Sequence, residues 1–367
     1  MRSLLSPALP AALTSALLLA TGLPAAEAST ASARAKAAAD KRSAPARSPV
    51  LYAGRADAMQ FADEVAARRQ LDPAWTRATI GQARQLPNVP RLMLPAAGGA
   101  PKNWQAYRGR FVEPVRIAAG VRFWRSNAET LARAEATYGV PAEIIVGIIG
   151  VETIYGRDMG QFRVIDALAT LAFDFPDAHP RAAERRAFFR GELESFLSTE
   201  SRTAENPMTP VGSYAGAMGM PQFMPSSIAK YAVDFDGDGR IDLVRNPVDV
   251  IGSVANYFKA FGWQPGVPPV FPVRFDEARL RKAVLLAPDI VPTFSVDAFV
   301  AGGAVLQGEA LRHPGLLALV ELQNGHGTPS YVAGTKNFYV ITRYNWSSYY
   351  AMSVIDLGRE VQAAMAQ

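Results

Sequence analysis

The sequence of 367 residues contains no cysteine. This absence excludes disulfide bonds, a cysteine nucleophile and thiolate ligands for a metal ion. It also leaves no cysteine to carry a lipid, so we expect no lipid anchor. A chain of this length can bury a substantial core, and it needs no disulfide to be stable in an oxidising compartment.

Histidine and clustered basic residues are also scarce. The three histidines, His179, His313 and His326, stand beside proline or glycine and lack the spacing of metal ligands. No glycine-rich phosphate loop follows a predicted strand. The net charge of +5 is not gathered into a run of Lys and Arg, so we expect no nucleic-acid partner. Such a charge does suit a protein that works near an anionic polymer or a membrane surface.

Long hydrophobic runs are absent except at the N-terminus. Arg2 precedes an apolar stretch over 4–23, and Ala26-Glu27-Ala28 fits a signal-peptidase site. We therefore predict a signal peptide at 1–28. A membrane anchor is the alternative, but prolines interrupt this short stretch. The polar, alanine-rich segment 29–50 predicts a disordered linker. We expect the mature protein to be a soluble, periplasmic monomer.

The rest of the chain predicts an α+β fold that is mainly helical. Helical periodicity and capping residues recur over 51–265, whereas 266–337 is rich in proline, turn glycines and short β-branched runs. Residues 338–342 also form a β-branched run, which predicts one more strand. Helical periodicity returns over 348–365. The order is therefore helical, then a small β-rich unit, then helical again.

Glu152 is a lone carboxylate at the end of an apolar run over 142–151. The run predicts a helix that is buried on nearly every face, and Gly156 is expected to end it. Burial and the negative end of the helix dipole would both raise the pKa of Glu152, as a general acid requires. The alternative is a structural ion pair, with Arg157 as the candidate partner. This segment alone leaves the two interpretations equally open.

The segment 212–226 combines small residues with neutral polar and aromatic side chains. Its glycines and alanines allow a backbone to approach a ligand closely. Ser213 and Gln222 supply uncharged hydrogen-bonding groups, and Tyr214 and Phe223 supply aromatic faces. This combination is typical of a carbohydrate groove. A glycine-rich structural loop is the alternative that spacing does not exclude.

The segment 234–249 has the aspartate spacing of an EF-hand calcium loop. Aspartates stand at loop positions 1, 3 and 5 (Asp234, Asp236, Asp238), with glycine at position 6. Position 12 is Arg245 rather than a bidentate glutamate, so Asp249 is the candidate for the closing carboxylate. Oxygen ligands of this kind favour Ca²⁺. An Asp/Gly surface turn is the alternative.

A dense set of aromatic and amide side chains occupies 343–350, from Arg343 to Tyr350. Such side chains suit a sugar-binding wall. They could equally form the rim of a hydrophobic core, because tyrosine is often half-buried.

Together these segments resemble lytic murein transglycosylase B, the enzymes of glycoside hydrolase family 103. The resemblance covers most of the chain beyond about residue 55 and is carried by 146–173, 212–263 and 337–352. Its most specific motifs are Gly150-Val151-Glu152-Thr153 with 166–171, and Ala217-Met218-Gly219 with 222–226. The best-known members of this family carry a lipid-modified cysteine after the signal peptide, which this chain lacks.

The resemblance implies a lysozyme-like catalytic core at 114–265, an additional helical lobe at 51–113 and a small β-rich lobe at 266–337. The segment 338–367 would return to the helical part. It implies Glu152 as the catalytic acid/base and a structural Ca²⁺ in the loop 234–249. The implied groove residues are Ser213, Gln222, Tyr107, Tyr257, Tyr344, Asn345 and Tyr350. The implied calcium ligands are Asp234, Asp236, Asp238, the Arg240 carbonyl and Asp249.

The implied reaction cuts the MurNAc-β-1,4-GlcNAc bond of peptidoglycan glycan strands and leaves 1,6-anhydroMurNAc ends. Proteins of cell-wall synthesis or turnover are candidate partners. One alternative is a hydrolytic lysozyme, in which water attacks in place of the C6 hydroxyl. The other is a non-catalytic, calcium-dependent scaffold that binds peptidoglycan without releasing fragments.

Overall fold

The computed structural model describes residues 49–95 and 101–366. The predicted signal peptide lies outside these residues, as does the predicted linker apart from residues 49 and 50. The α-helices are α1 Ala56–Arg69, α2 Pro73–Gln82, α3 Val89–Leu92, α4 Trp104–Arg108, α5 Pro114–Ser126, α6 Ala128–Tyr138, α7 Ala142–Thr153, α8 Val164–Phe173, α9 Ala182–Thr203, α10 Pro225–Tyr231, α11 Pro247–Ala260, α12 Lys282–Leu286, α13 Val296–Ala301, α14 Lys336–Ile341 and α15 Ser348–Met365.

The strands are short and pair only antiparallel. They are β1 Phe162–Arg163, β2 Val211–Gly212, β3 Val270–Pro272, β4 Arg274–Phe275, β5 Ala304–Val305, β6 Ala318–Asn324 and β7 Gly327–Gly334. The largest described sheet has the order β3-β7-β6, and β1-β2 and β4-β5 form two further pairs. The described chain is thus mainly helical, as predicted.

Helix α7 is the centre of the main hydrophobic core, and it packs along α15. Two glycines make this close approach possible. A Cβ added at Gly147 would lie 2.3 Å from the Val354 carbonyl oxygen, and one at Gly358 would lie 2.1 Å from the Glu143 carbonyl oxygen. The apolar run that precedes Glu152 is therefore buried because a helix from the far end of the chain covers it.

A second core joins the N-terminal helices α1 and α2 to α8 and α9. Phe61 and Ile80 from the first pair pack in the same cluster as Leu168 and Phe189 from the second. This core therefore draws on both 51–113 and 114–265.

The β-rich unit uses the two faces of its sheet differently, because side chains alternate along a strand. Val320 and Leu322 of β6 belong to the main core, whereas Leu319 packs with Phe271 and Phe299 in a third cluster. One face of the sheet thereby fixes the unit to the main core, and the other face covers its own small helices.

Two local predictions are wrong. Residues 338–342 are not a strand, because the Thr335 side chain accepts from the Asn337 amide and starts helix α14. The helix of Glu152 does not run to Gly156. It ends at Thr153, since Ile154 and Tyr155 both take left-handed conformations, with φ of 53° and 57°.

No single helix among the described residues is both long and apolar enough to cross a membrane. Helices α6 and α7 reach the length and apolar composition of a membrane-spanning segment only when taken together, and they are bent by 114° at their junction.

Candidate active site

Glu152 occupies the last turn of α7 and remains half-buried. Its Oε1 accepts a 2.5 Å hydrogen bond from the Tyr350 hydroxyl. Burial raises the pKa of the Glu152 carboxyl to about 7, and the hydrogen bond from Tyr350 opposes that rise. A carboxyl with this pKa is partly protonated near neutral pH, so it can donate a proton and later accept one.

The structural alternative for Glu152 was an ion pair with Arg157. Arg157 is exposed, and within the described part of the chain Glu152 forms no ion pair. A carboxyl that is desolvated without a cationic partner is costly to ionise, and it is the kind of group found at functional sites.

The end of the Glu152 helix is held by contacts that a sequence pattern does not reveal. The Thr153 hydroxyl donates to the Met220 carbonyl at 2.8 Å and accepts from the Gly156 amide at 3.0 Å. The Tyr155 ring lies against glycines, since an added Cβ at Gly120 or Gly150 would lie 2.4 Å from its hydroxyl oxygen. These contacts fix the direction in which Glu152 leaves the core.

Tyrosines surround the carboxyl of Glu152. The rings of Tyr350 and Tyr344 stack with centroids 6.5 Å apart, and the rings of Tyr344 and Tyr257 lie 4.9 Å apart. Burial raises the pKa of both Tyr344 and Tyr350 well above the usual range of a phenol, so both hydroxyls stay protonated. Burial, and then the charge of Glu152, raises the pKa of half-buried Tyr107 to about 12. These four predicted groove residues and Glu152 therefore form one cluster.

The glycine-rich segment 212–226 packs directly beside this cluster. The Tyr344 hydroxyl donates to the Pro221 carbonyl at 2.5 Å, and the Tyr257 hydroxyl donates to the Arg343 carbonyl at 2.7 Å. The segment also packs closely against the loop between α7 and β1, because a Cβ added at Gly160 in that loop would lie 2.2 Å from the Gly212 carbonyl oxygen.

Ser213 and Gln222 are buried within this segment and hold its backbone. The Ser213 hydroxyl oxygen accepts from the Ala217 amide at 3.1 Å. Gln222 has a left-handed backbone, with φ of 51°, and its Nε2 donates to the Gly219 and Met159 carbonyls at 2.9 and 3.2 Å. Both residues therefore shape the loop.

Asn345 is half-buried, and its carbonyl oxygen accepts from the Ser347 amide at 2.7 Å. The sequence pattern did not assign a role to Ser347. Its hydroxyl accepts from the Tyr350 amide at 3.3 Å and caps α15, which places Tyr350 toward Glu152. A serine directly before a helical pattern is a capping signal that could have identified it.

The acidic segment 234–249 folds into a compact loop. One carboxylate oxygen from each of Asp234, Asp236 and Asp249 lies within 4.8 Å of the others. Asp234 accepts from the amides of 237, 238 and 239, as expected of the first residue in a calcium loop. Asp249 is fully buried, and burial raises the pKa of its carboxyl. Asp238 lies outside this cluster and accepts from the Arg240 amide at 2.8 Å.

Residues 53–359 match the protein family described as Transglycosylase SLT domain. Over 327 residues, the chain is 41% identical to membrane-bound lytic murein transglycosylase B of Escherichia coli K12, covering 86% of this chain and 85% of that protein.

Two solved structures are also similar. The Escherichia coli lytic transglycosylase Slt35 in complex with calcium is 41% identical, with a TM-score of 0.75 over 86% of this chain and 96% of the other. SltB3 of Pseudomonas aeruginosa in complex with NAG-NAM-pentapeptide is 28% identical, with a TM-score of 0.66 over 83% and 79%. The chain therefore belongs to the lytic murein transglycosylase family, as a peptidoglycan-cleaving enzyme with a mainly helical, lysozyme-like fold.

Proposed function

We propose that Glu152 is the single catalytic acid/base of this transglycosylase, and that the product ends are 1,6-anhydroMurNAc. The observation that carries the proposal is the state of the Glu152 carboxyl. It has a pKa of about 7, a hydrogen bond from Tyr350 and no ion pair with any described residue. One group in that state can serve as the acid first and as the base afterwards.

A single carboxyl distinguishes this proposal from ordinary glycoside hydrolysis, which usually employs two. Burial raises the pKa of Glu152 and the hydrogen bond from Tyr350 opposes the rise, and no other carboxylate among the described residues contributes to the shift. A second catalytic carboxylate about 5–10 Å away would raise that pKa through charge repulsion. The local electrostatics therefore favour a mechanism with one carboxyl.

The steps balance without water. Glu152 donates its proton to the glycosidic oxygen, the C1–O bond of MurNAc breaks, and GlcNAc leaves with a free 4-hydroxyl. The N-acetyl group of the substrate stabilises the positive charge that develops at C1. The C6 hydroxyl oxygen then attacks C1 while the Glu152 carboxylate takes its proton. This closes the anhydro ring and restores the protonated enzyme.

We assign the predicted groove residues to binding the glycan strand. Tyr107, Tyr257, Tyr344 and Tyr350 lie around Glu152 and exclude water from it, and Tyr350 also positions its carboxyl. Ser213, with its oxygen occupied as an acceptor, has its hydroxyl hydrogen available to orient the N-acetyl group. Gln222 and Asn345 complete the wall beside the tyrosines.

The acidic loop is assigned to one structural Ca²⁺. Asp234, Asp236 and Asp249 would supply carboxylate oxygens, and Asp238 and the Arg240 carbonyl are the further ligands implied by the loop pattern. The similar Slt35 structure is a calcium complex. The ion would join the loop to the start of α11 by neutralising carboxylates that repel one another. It takes no part in the reaction.

We also propose export of the protein to the periplasm through a signal peptide at 1–28, followed by the linker at 29–50. The working unit is a monomer that acts on glycan strands. We keep the proposed division into a helical lobe, a catalytic core and a β-rich lobe, with boundaries near residues 113, 265 and 337.

The test is mass spectrometry of the soluble fragments released from peptidoglycan sacculi by the purified protein. Anhydromuramoyl ends, lighter by one water than reducing ends, are expected. Reducing ends would overturn the proposed product and indicate a hydrolytic lysozyme with a second carboxylate. Binding to sacculi without release of fragments would instead support the scaffold alternative.

A further inference from the structure

Glu192 is a buried carboxyl that the reaction proposed for Glu152 does not use. It lies in the middle of α9 and is 3% exposed. Burial raises the pKa of Glu192, and the hydrogen bonds from Ser226, followed by the charge of Lys230, oppose that rise. Within the described part of the chain it forms no ion pair. The hydrogen bonds of this carboxyl therefore offset the cost of burying it.

Both carboxylate oxygens of Glu192 contact a single residue, Ser226. Oε2 accepts from the Ser226 amide at 2.9 Å, and Oε1 accepts from the Ser226 hydroxyl at 2.6 Å. Ser226 lies in the first turn of α10, and Met224, which precedes that helix, supplies no side-chain cap. Glu192 thereby pairs an amide that the helix itself leaves without a partner. This contact joins α9 to the end of the glycine-rich segment 212–226.

Backbone and ring contacts tie the rest of that segment together. Met218 and Phe223 exchange two backbone hydrogen bonds, of 2.9 and 3.1 Å, which close 219–222 into a loop. The Phe223 ring is buried against those of Tyr257 and Tyr344, with centroids 5.5 and 5.8 Å away. Because Ser226 follows Phe223 by only three residues, a displacement of Ser226 also displaces the loop.

The loop 219–222 contacts the Glu152 site at two places. The Met220 carbonyl accepts from the hydroxyl of Thr153, the residue after Glu152, at 2.8 Å. The Pro221 carbonyl accepts from the Tyr344 hydroxyl at 2.5 Å. The position of this loop therefore affects the end of helix α7 and one of the tyrosines around the carboxyl at the same time.

We propose that Glu192 is a positioning residue for the cleavage reaction. By holding Ser226 it fixes the loop 219–222, and the loop fixes the direction of the Glu152 carboxyl. The inference rests on the proposed role of Glu152 as the acid/base. Since a misplacement of about 1 Å can cost about 100-fold in rate, loss of the Glu192–Ser226 contact should reduce kcat more than it weakens binding of the glycan strand.

The test measures kcat and KM of Glu192 variants on soluble glycan strands. Glu192→Leu removes both acceptors at similar volume, so kcat should fall about 10- to 100-fold while KM changes by less than about threefold. Glu192→Gln can still accept from the Ser226 amide and can donate to the Ser226 hydroxyl. It should therefore rescue kcat to within about fivefold of the wild type.

Ser226→Ala tests the same contact from its other side. It keeps the backbone hydrogen bond and loses that of the hydroxyl, so kcat should fall about threefold to tenfold. In combination with Glu192→Leu it should cause no further fall, because both substitutions remove one contact and their effects are then not additive.

Glu194→Leu is the matched control. Glu194 lies two residues further along α9 and is buried, but its ion pairs, of 2.7 and 2.6 Å, go to Arg68 and Arg69 of α1. The same substitution should therefore lower Tm as well, yet leave kcat unchanged below that Tm, because Glu194 does not hold the segment 212–226.

The outcomes keep the two proposals apart. A folded Glu192→Leu variant with wild-type kcat, or an equal loss of kcat in Glu194→Leu, would overturn the positioning role. If Glu192→Leu does not fold, Ser226→Ala decides, and an unchanged kcat there overturns the inference. Reducing ends from the wild type would instead overturn the proposed function, whereas kcat is obtained from the rate of strand cleavage whatever the ends are.

Discussion

The Tyr350 hydroxyl donates a 2.5 Å hydrogen bond to Oε1 of Glu152 across a separation of 198 residues. A hydrogen bond to a carboxylate stabilises its ionised form. Burial acts in the opposite direction and is the larger effect, so the pKa of Glu152 is raised to about 7. The balance of these two effects sets the pH range in which Glu152 can act as an acid.

Removing this hydrogen bond should extend activity to higher pH. In Tyr350→Phe the ionised carboxylate loses a donor, so the pKa of Glu152 should rise by about one unit, given that hydrogen bonds to charged groups contribute about 1.5–3 kcal/mol. The protonated acid starts the reaction, so the alkaline limb of the pH profile of kcat/KM should move upward. An alkaline limb that stays in place or moves to lower pH would contradict this role of Tyr350.

Replacement of the acid itself should stop turnover without preventing binding. Glu152→Gln keeps the shape of the side chain but removes its acidic proton, so kcat should fall by about 10²- to 10⁴-fold or more. Binding to sacculi, measured by co-sedimentation, should remain. Glu143→Gln on the same helix is the control and should keep its activity. If Glu152→Gln retained near wild-type turnover, the assignment of Glu152 would be wrong.

The same substitution should stabilise the protein at alkaline pH. Because the folded-state pKa of Glu152 is raised above its usual 4.5, ionisation of the folded protein is penalised as pH rises from 4.5 to about 7. Glu152→Gln removes this penalty. After allowance for partial exposure, its free energy of unfolding should exceed that of the wild type by about 1–2 kcal/mol at pH 8. At pH 4 the two should agree, as urea denaturation would test.

The left-handed end of the Glu152 helix depends on the space that Gly150 leaves for Tyr155. Alanine normally stabilises a helix relative to glycine by about 1 kcal/mol. In Gly150→Ala, however, the new Cβ would lie 2.4 Å from the Tyr155 hydroxyl oxygen. Overpacking costs about 1–3 kcal/mol, so we expect a lower Tm together with a lower kcat as Glu152 shifts.

Gly191→Ala is the matched control for this substitution. Gly191 lies in the middle of α9, and an added Cβ would meet nothing within 4 Å. It should therefore raise stability by about 0.5–1 kcal/mol and leave kcat unchanged. An equal rise in stability for Gly150→Ala would show that Tyr155 does not occupy this space in solution.

Removal of Ca²⁺ should destabilise the protein without changing the chemistry of Glu152. A ligand present at about 1,000 times its Kd contributes about 4 kcal/mol, so a chelator should lower Tm by about 5 °C or more, and added Ca²⁺ should restore it. Asp249→Asn should abolish this response, whereas Asp297→Asn, an exposed acid on α13, should keep it. A wild-type Tm that did not respond to the chelator would argue against a structural ion.

Local sequence patterns determined much of this protein. The nearly uninterrupted apolar run over 142–151 predicted the buried helix before Glu152, because a helix that is apolar on nearly every face is buried on nearly every face. The aspartate spacing over 234–238 predicted the acidic loop, since the Asp234 carboxylate accepts from amides only three to five residues further along the chain. The abundance of helix and the β-rich unit after residue 266 were likewise readable from nearby residues.

Tertiary structure decided what depends on distant contacts. The sequence marked Glu152, but only the packing of α15 against α7 brought Tyr350 to its carboxyl and set the degree of its burial. The left-handed turn at Ile154 contradicts local preference, because β-branched residues rarely adopt it and here tertiary contacts outweigh that cost. A cavity lined by Lys102, Asp289 and Trp346 likewise joins segments far apart in the chain. Short-range patterns carry no information about such contacts, because their free energy arises only when the elements pack together.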